Sequence, residues 1–436
     1  MIDNKHILGM SLQVGTVLGI LTGAIYSWVS GAPIMGCIVG SIFALTAGFM
    51  LVQSCNKKTG AVLLILMIVK YSLTLYQAIN KNLPMGGEDW WNYHNNAQAL
   101  MEKQSGIIMY LLDESADMFS KCVAVLYSIF GVHTMYINLF VLATSFMAAY
   151  YVLQTALLLT DYNRRVSYQA LLVFCFWPID IIYSVTYLRE MPMQMLTILS
   201  FYKFCYYIKY RKVGALVNAF ISIALACMMH SGVIAIIPIY LMLMFRSEKN
   251  IYERIVTTKN VTMMLLAIVV LRISPFWATI SAKLGDISSV DSLVKRSQQF
   301  NVAANTQYVS EMPTSIAGFF LQMPWRALLF AVVPLPWMIV SGATAFAWVV
   351  DALPQLWIIM KLIQLNKLTL GTKQRIYYIA CVLSVIGTYL VCGMGTSAYG
   401  NAIRHRAKIV PMILVFVVAV YQHLKTQKEE VEYGKG

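Results

Sequence analysis

Long apolar runs separated by short polar stretches follow one another along almost the whole chain. Runs of about 20 apolar residues are long enough to cross a bilayer core as helices. The pattern predicts helices at about 7–28, 32–52, 60–79, 133–159, 166–187, 190–209, 213–229, 231–245, 261–277, 341–362, 376–394 and 408–424. We therefore expect an all-α, polytopic integral membrane protein with about 12 transmembrane helices, forming a single transmembrane domain over residues 1–436.

Composition supports this class of protein and indicates which kinds of partner to expect. Of 436 residues, 59% are hydrophobic and 12% are charged, about half the charged share of a soluble domain. The net charge of +14 is explained by basic residues in cytoplasmic loops, so the expected partner is the lipid bilayer and not nucleic acid. The eight cysteines are scattered without metal-ligand spacing, so we predict no metal site, no disulfide framework and no cofactor.

The placement of Lys and Arg predicts the orientation. With both termini cytoplasmic, every basic cluster in a short loop except 404–408 falls on the cytoplasmic side. This orientation requires that 315–340 does not cross the membrane fully. Pro324, Pro334 and Pro336 favour a proline-broken, re-entrant segment there. The long loop after helix 3, 80–132, and the stretch 278–340 would then lie at the outer face. Within the first, 116–130 is apolar enough to form a surface helix.

The outer loop contains the richest stretch of chemistry, 84–94. Asp89 stands beside Trp90 and Tyr93, after a Gly pair that lets the backbone bend. Carboxylates accept protons or sugar hydroxyls, and aromatic rings stack on the apolar faces of sugars. The alternative interpretation is an interfacial loop in which the aromatic residues are membrane anchors.

Other ionisable residues stand at the ends of apolar segments on the outer side, where they are functional candidates by default because charge at membrane depth is costly. These are Arg189, Glu190, His230, Arg326, Arg404 and Arg406. Each has a structural alternative: a mutual ion pair for Arg189 and Glu190, a hydrogen-bonded His230, an interfacial belt around Arg326, or inverted last helices at 404–406. Lys70, Asp180, Lys203, Arg272 and Asp351 lie inside apolar segments, and pairing between helices is the expectation for each.

The order of these elements resembles a known family. It runs from Gly87-Glu88-Asp89 through Leu188-Arg189-Glu190, His230-Ser231 and Pro334-Leu335-Pro336-Trp337 to Arg404-His405-Arg406-Ala407-Lys408. This order is similar to bacterial polysaccharide polymerases (O-antigen, capsule or exopolysaccharide) of the Wzy or EpsG-like type, and more broadly to GT-C glycosyltransferases that use polyprenyl-linked sugars. One departure is that the acidic loop follows the third helix here, whereas in many GT-C enzymes it follows the first.

The resemblance implies an inner-membrane enzyme that joins repeat units carried on undecaprenyl pyrophosphate at the periplasmic or outer face. Its partners would be that lipid-linked glycan and a chain-length regulator or flippase of the same pathway. By resemblance, Arg189, Arg404 and Arg406 would hold the pyrophosphate, and Arg326 would support glycan binding. Asp89 or His230 would deprotonate the acceptor.

Two other classes stay open. A flippase of lipid-linked oligosaccharide would also place arginines in a membrane cavity, although such transporters often show two related halves and none is visible here. A membrane O-acyltransferase using His230 ranks third, because no acid or amide partner for that histidine is evident in the sequence.

Overall fold

The computed structural model describes residues 4–81, 83, 89–113, 115–244, 262, 307–309, 315–366, 368, 370 and 372–433. The predicted helix at 261–277 and most of the polar stretch 278–314 lie outside these residues. The first helices are α1 (Asn4–Ser30), α2 (Ile34–Gln53), α3 (Lys57–Asn80), α4 (Asp89–Lys103), α5 (Ile107–Leu112), α6 (Met118–Phe130) and α7 (Thr134–Leu159). Next come α8 (Arg164–Cys175), α9 (Pro178–Ser184), α10 (Glu190–Tyr210), α11 (Val213–Met229) and α12 (Ile236–Leu243). The last are α13 (Ile316–Val332), α14 (Gly342–Ala347), α15 (Leu353–Asn366), α16 (Thr372–Met394), α17 (Tyr399–Ala407), α18 (Val410–Leu414) and α19 (Tyr421–Tyr433).

The prediction of an all-helical membrane protein is confirmed. Seven helical stretches of the described chain are long and apolar enough to cross a membrane, and the bent pair α8–α9 makes an eighth if it is one span. The seven are His6–Ser30, Ile34–Gln53, Lys57–Asn80, Thr134–Leu159, Gly342–Leu365, Gln374–Met394 and Val410–Glu430. Four shorter apolar helical stretches are Met118–Phe130, Val213–Met229, Ser231–Leu243 and Ala317–Val332.

The chain divides into two compact units. Unit 1 is Met1–Leu153 with Tyr168–Met195, and unit 2 is Gln154–Ser167 with Leu196–Gly436. In unit 1, α1 and α2 form a close hairpin. A Cβ added at Gly19 or Gly23 would lie 2.5–2.8 Å from backbone atoms of Ile42 or Ile38, so only glycine allows this approach.

The stretch 80–132, predicted as a long loop with one helix at 116–130, contains three helices. The last is confirmed as α6, whose first turn is capped by the Asp117 carboxylate. The prediction missed α4, which is polar on average, and α5, which has only six residues. Between α5 and α6, hydrogen bonds from Ser115 and from Lys103 hold the pKa of the Asp113 carboxyl well below its usual value.

One predicted helix, 166–187, is in fact broken. Its two parts, α8 and α9, are bent by 63° around Phe176 and Trp177. Pro178 is the first residue of α9, and a proline disfavours helical backbone in the residue before it. The prediction of a helix over 166–187 missed this break, and the Trp177-Pro178 pair was the signal.

In unit 2 the break near 315–340 occurs at only two of the three prolines. Helix α13 continues through Pro324 and ends at Val332, after which Pro334 and Pro336 lead into a short 3₁₀ turn. A π-helical turn, Trp348–Ala352, then joins α14 to α15 and carries Asp351. Turns of this kind are frequent at functional positions because they reorient side chains.

Candidate functional site

The residues proposed from the sequence divide between the two units. Unit 1 holds Asp89, Trp90, Tyr93, Arg189 and Glu190, and unit 2 holds the others: His230, Arg326, Arg404 and Arg406. Each group is described below within its own unit.

In unit 1 the structure brings Arg189 to the aromatic residues of α4. The Arg189 guanidinium lies 5.6 Å from the centre of the Tyr93 ring, within the range of a cation–π contact. Tyr93 in turn packs against Phe119 of α6, at 5.0 Å between ring centres, and lies 6.5 Å from Tyr187. This aromatic cluster positions the start of α4, which begins at Asp89, beside the junction that precedes α10.

A small polar pocket adjoins this cluster. It is lined by Gln77, Ala78, Lys81, Trp90, Thr134, Asn138, Thr186 and Tyr187. Its volume of about 10 Å³ is enough for roughly one water molecule. Its walls come from the end of α3, the start of α4, the start of α7 and the junction 185–189, so these four chain segments meet at one end of unit 1.

Helix α4 also carries a histidine that the sequence did not single out as a site residue. The His94 Nδ1 atom lies 2.7 Å from the Tyr127 hydroxyl of α6. Burial, followed by the charges of Lys81 and His133, lowers the pKa of His94. The imidazole is therefore kept neutral here.

A buried polar group lies at the bend between α8 and α9. The Gln194 amide donates to the Asp180 carboxylate, and the Lys70 ammonium donates to the Ser145 hydroxyl at 3.2 Å. All four side chains are buried. The expectation that Lys70 and Asp180 contact other helices is confirmed.

In unit 2, Arg406 is bound inside the protein. Its guanidinium forms an ion pair with Asp351 and donates to the backbone carbonyls of Phe330 and Val333, with both charged side chains 0% exposed. Asp351 thus has the interhelical partner that was expected for it. Arg406 joins α17 to the end of α13 and to the π-helical turn.

Arg326 lies one turn before Phe330 on α13 and is 1% exposed. It donates from Nε to the Gly393 carbonyl at 3.1 Å and from Nη2 to the Thr396 carbonyl at 3.4 Å. The Tyr308 hydroxyl donates to the same Thr396 oxygen at 2.9 Å. Burial raises the pKa of Tyr308, although Arg406 and Arg326 act in the opposite direction, so its hydroxyl stays protonated.

His230 is joined to the basic segment 404–408. Its ring centre lies 4.4 Å from that of His405, and the His405 Nδ1 atom lies 2.7 Å from the Lys408 ammonium. The His230 Nδ1 atom accepts a hydrogen bond from the Gly232 N–H at 2.9 Å. A nitrogen that accepts this bond carries no proton, so a neutral His230 ring has its proton on Nε2.

The structure therefore groups the predicted residues in two sets. It brings Arg189 to Tyr93 in unit 1, and it brings His230 and the 404–408 segment together in unit 2, where Arg406 also contacts α13. Sequence reasoning quoted His405 and Lys408 but did not propose them, and the spacing of residues 405 and 408 on one helical face was the available signal. Comparisons with family models, curated proteins and solved structures find no match for this chain.

Proposed function

We propose that the protein is a membrane glycosyltransferase that joins polysaccharide repeat units carried on undecaprenyl pyrophosphate. The observation that carries the proposal is the contact between Arg189 and Tyr93, which holds a cation against the first turns of α4, the helix that begins with the Asp89 carboxylate. This pairing suits a substrate that has both a phosphate group and a sugar.

The reaction is a displacement at the anomeric carbon of the donor. A hydroxyl oxygen of the acceptor forms the new C–O bond while the bond to the pyrophosphate oxygen breaks. The lipid pyrophosphate leaves with the electron pair, and the acceptor proton passes to a base. Preorganised cations stabilise the charge that develops on the leaving phosphates, and Arg189 is the proposed cation.

The hydrogen bonding of His230 narrows the choice of base. Its Nδ1 atom is occupied by the Gly232 N–H, and its Nε2 atom carries the ring proton. His230 is therefore suited to donate a hydrogen bond and not to accept the proton. Asp89, half-buried at the start of α4, is the better acceptor for the proton.

Arg406 receives a different role in this proposal. Its guanidinium already binds Asp351 and two carbonyl oxygens. We assign it the task of fixing the 404–408 segment, so that Arg404 and His405 are positioned for a ligand.

A reconstitution experiment tests the enzyme. The purified chain in liposomes is given a lipid-pyrophosphate-linked oligosaccharide, and the product is resolved by length. We expect covalently longer glycans from wild type and a loss of about 100-fold or more in rate for Asp89→Asn and Arg189→Gln, since transition-state contacts of this kind contribute at least that much. Arg164→Gln, which removes an exposed charge at the start of α8, is the matched control and should keep full rate.

Unchanged glycan length with wild type would refute the polymerase. A ladder identical to wild type from both Asp89→Asn and Arg189→Gln would refute their assigned roles.

A flippase is the second candidate, and one observation favours it. The bent pair α8–α9 with buried Asp180 and Lys70 resembles the discontinuous, charged helices of transporters. The same liposomes decide between the two, because a flippase moves the lipid-linked glycan across the bilayer without lengthening it.

The proposed setting is the bacterial inner membrane, with about 12 crossings and both termini cytoplasmic. In that topology the end of α3, the start of α7 and the junction before α10 all face outward. The pocket in unit 1 would then open on the side where lipid-linked repeat units are joined.

A further inference from the structure

We infer that the pocket in unit 1 recognises a single hydroxyl group of a sugar, with Asn138 as the residue that accepts its hydrogen bond. This inference rests on the proposed function and makes it more specific, because it places one contact to the glycan and names the residue that selects it.

Asn138 provides the first observation. It lies on the second turn of α7 and is 3% exposed. Its Oδ1 atom is buried and has no hydrogen-bond partner among the described residues. Leaving a buried acceptor unsatisfied is costly, so such an atom calls for a donor from outside the protein. Asn138 lines the pocket, where a donor can reach it.

The lining of the pocket gives the chemistry of that donor. Thr134 and Thr186 add hydroxyl groups, and Gln77 adds an amide whose oxygen accepts from the Leu83 N–H at 3.0 Å. The volume of about 10 Å³ admits one water molecule or one hydroxyl group but no sugar ring. A sugar bound here therefore inserts one hydroxyl and keeps its ring outside.

The aromatic side of the pocket suits the ring that remains outside. Trp90 and Tyr187 both line it, and the Lys81 ammonium lies 4.2 Å from the centre of the Trp90 ring. An indole offers an apolar face to a sugar, and the cation–π contact with Lys81 limits how that indole can turn. The pocket thus combines an aromatic surface with a buried acceptor, a small number of placed groups of the kind that fix the orientation of a ligand.

Binding of methyl glycosides of glucose, galactose, mannose and N-acetylglucosamine to the purified full chain tests the inference. Saturation-transfer NMR on wild type, Asn138→Leu and Thr134→Val gives the affinities. We expect binding in wild type and a loss of about tenfold or more in Asn138→Leu, because a hydroxyl donor loses its acceptor. Thr134→Val serves as a second pocket variant with a smaller change in volume, and weaker binding is expected there as well.

The matched control is Thr197→Val. Thr197 is a buried residue of unit 2 whose hydroxyl also has no hydrogen-bond partner among the described residues, but it does not line the pocket. The Thr197→Val variant should bind glycosides with the same affinity as wild type. Deoxy analogues of the best glycoside identify the recognised hydroxyl: removing the correct one should weaken wild type and leave Asn138→Leu unaffected, as expected for two groups that interact directly.

Equal affinity in wild type, Asn138→Leu and Thr134→Val would overturn the inference and leave a pocket that holds a water molecule only. Failure of wild type to bind any glycoside of the panel would overturn it too. The polymer assay keeps this result separate from the proposed function. If glycoside binding depends on Asn138 while no glycan is lengthened, the sugar site stands and the polymerase fails. If glycans lengthen normally in Asn138→Leu and its glycoside affinity is unchanged, the polymerase stands and this site fails.

Discussion

The guanidinium of Arg406 shows how far a side chain's surroundings depend on residues distant in the sequence. Its neighbours are basic, and two arginines flanking a histidine indicate a phosphate site. The partner that changes this interpretation is Asp351, which lies 55 residues earlier in the chain. No local pattern connects the two, so the sequence predicted that Asp351 would be paired but could not say with which residue.

This ion pair gives a first prediction. Asp351→Asn or Arg406→Gln should destabilise the protein by about 3–5 kcal/mol, because each leaves a buried charge without its partner. The double variant Asp351→Leu with Arg406→Met should recover most of that loss, since it removes both charges. Unfolding in detergent, followed by circular dichroism, gives the free energies.

The control for this prediction is an exposed pair. Lys425 and Glu429 lie 3.7 Å apart with side chains about half exposed, and Glu429→Gln should change stability by less than about 1 kcal/mol. If Asp351→Asn and Arg406→Gln destabilise the protein as little as Glu429→Gln does, the burial of the Arg406–Asp351 pair has no energetic consequence. The structural role assigned to Arg406 would then be wrong.

His94 gives a second prediction, on pH dependence. Burial lowers its pKa in the folded protein below the ordinary value of 6.5. The unfolded chain therefore takes up the proton first as the pH falls. The stabilising contribution of neutral His94 is complete above about pH 6.5 and is lost as the pH falls through the lower folded-state pKa.

Melting temperatures between about pH 7.5 and about pH 5.5 check this sign. The melting temperature of His94→Gln should depend less on pH over this range than that of wild type. Some pH dependence remains, because burial also lowers the pKa of His133. Asn96→Gln, an exposed change on the same helix, should behave as wild type. A steeper slope in His94→Gln would contradict the direction of the shift.

At the scale of helices, the apolar runs predicted most elements within a few residues, because hydrophobic length is a strong signal for membrane helices. Two kinds of element escaped. Helices α4, α5 and α17, which are polar or shorter than ten residues, were assigned to loops. The bend between α8 and α9 lies inside one apolar run, where only Trp177-Pro178 marked it.

The α1–α2 hairpin gives a third prediction. Gly23→Ala places a methyl group 2.5 Å from the Ile38 Cα atom and should force the two helices apart, at a cost of about 1–3 kcal/mol. Gly9→Ala is the matched control on the same helix, since nothing lies within 4 Å of its added Cβ. Thermal unfolding of both variants in detergent makes the comparison, and equal stability would show that the close approach is not required.

For the whole molecule, the class was predictable and the site was only partly so. Inside a bilayer, backbone hydrogen bonds can be satisfied only in helices or in closed barrels. A chain with 59% hydrophobic residues in long runs fits helices. The contact of Arg189 with Tyr93 and the pocket around Asn138 depend on how distant segments pack. Asn138 sits inside an apolar run and carries no charge, so nothing in the sequence set it apart.

Topology gives a fourth prediction. In a cysteine-free background, Asn92→Cys should react with a membrane-impermeant maleimide added to intact cells, whereas Thr426→Cys should react only after lysis. Both positions are exposed, so a failure to label reports on the membrane and not on burial. Labelling of Thr426→Cys in intact cells would place the C-terminus outside and reverse the proposed orientation of the last helices.

The distance in sequence between Asp351 and Arg406 also has a consequence for biosynthesis. The acid leaves the ribosome 55 residues before the base. An unneutralised aspartate at the centre of a membrane helix costs about 2.5–3.5 kcal/mol on insertion. The span Gly342–Leu365 therefore enters the bilayer weakly by itself and is secured when the later segment arrives. A nascent chain truncated before residue 400 should show this span partly excluded from the membrane in a glycosylation-reporter assay, and Asp351→Leu should restore its insertion.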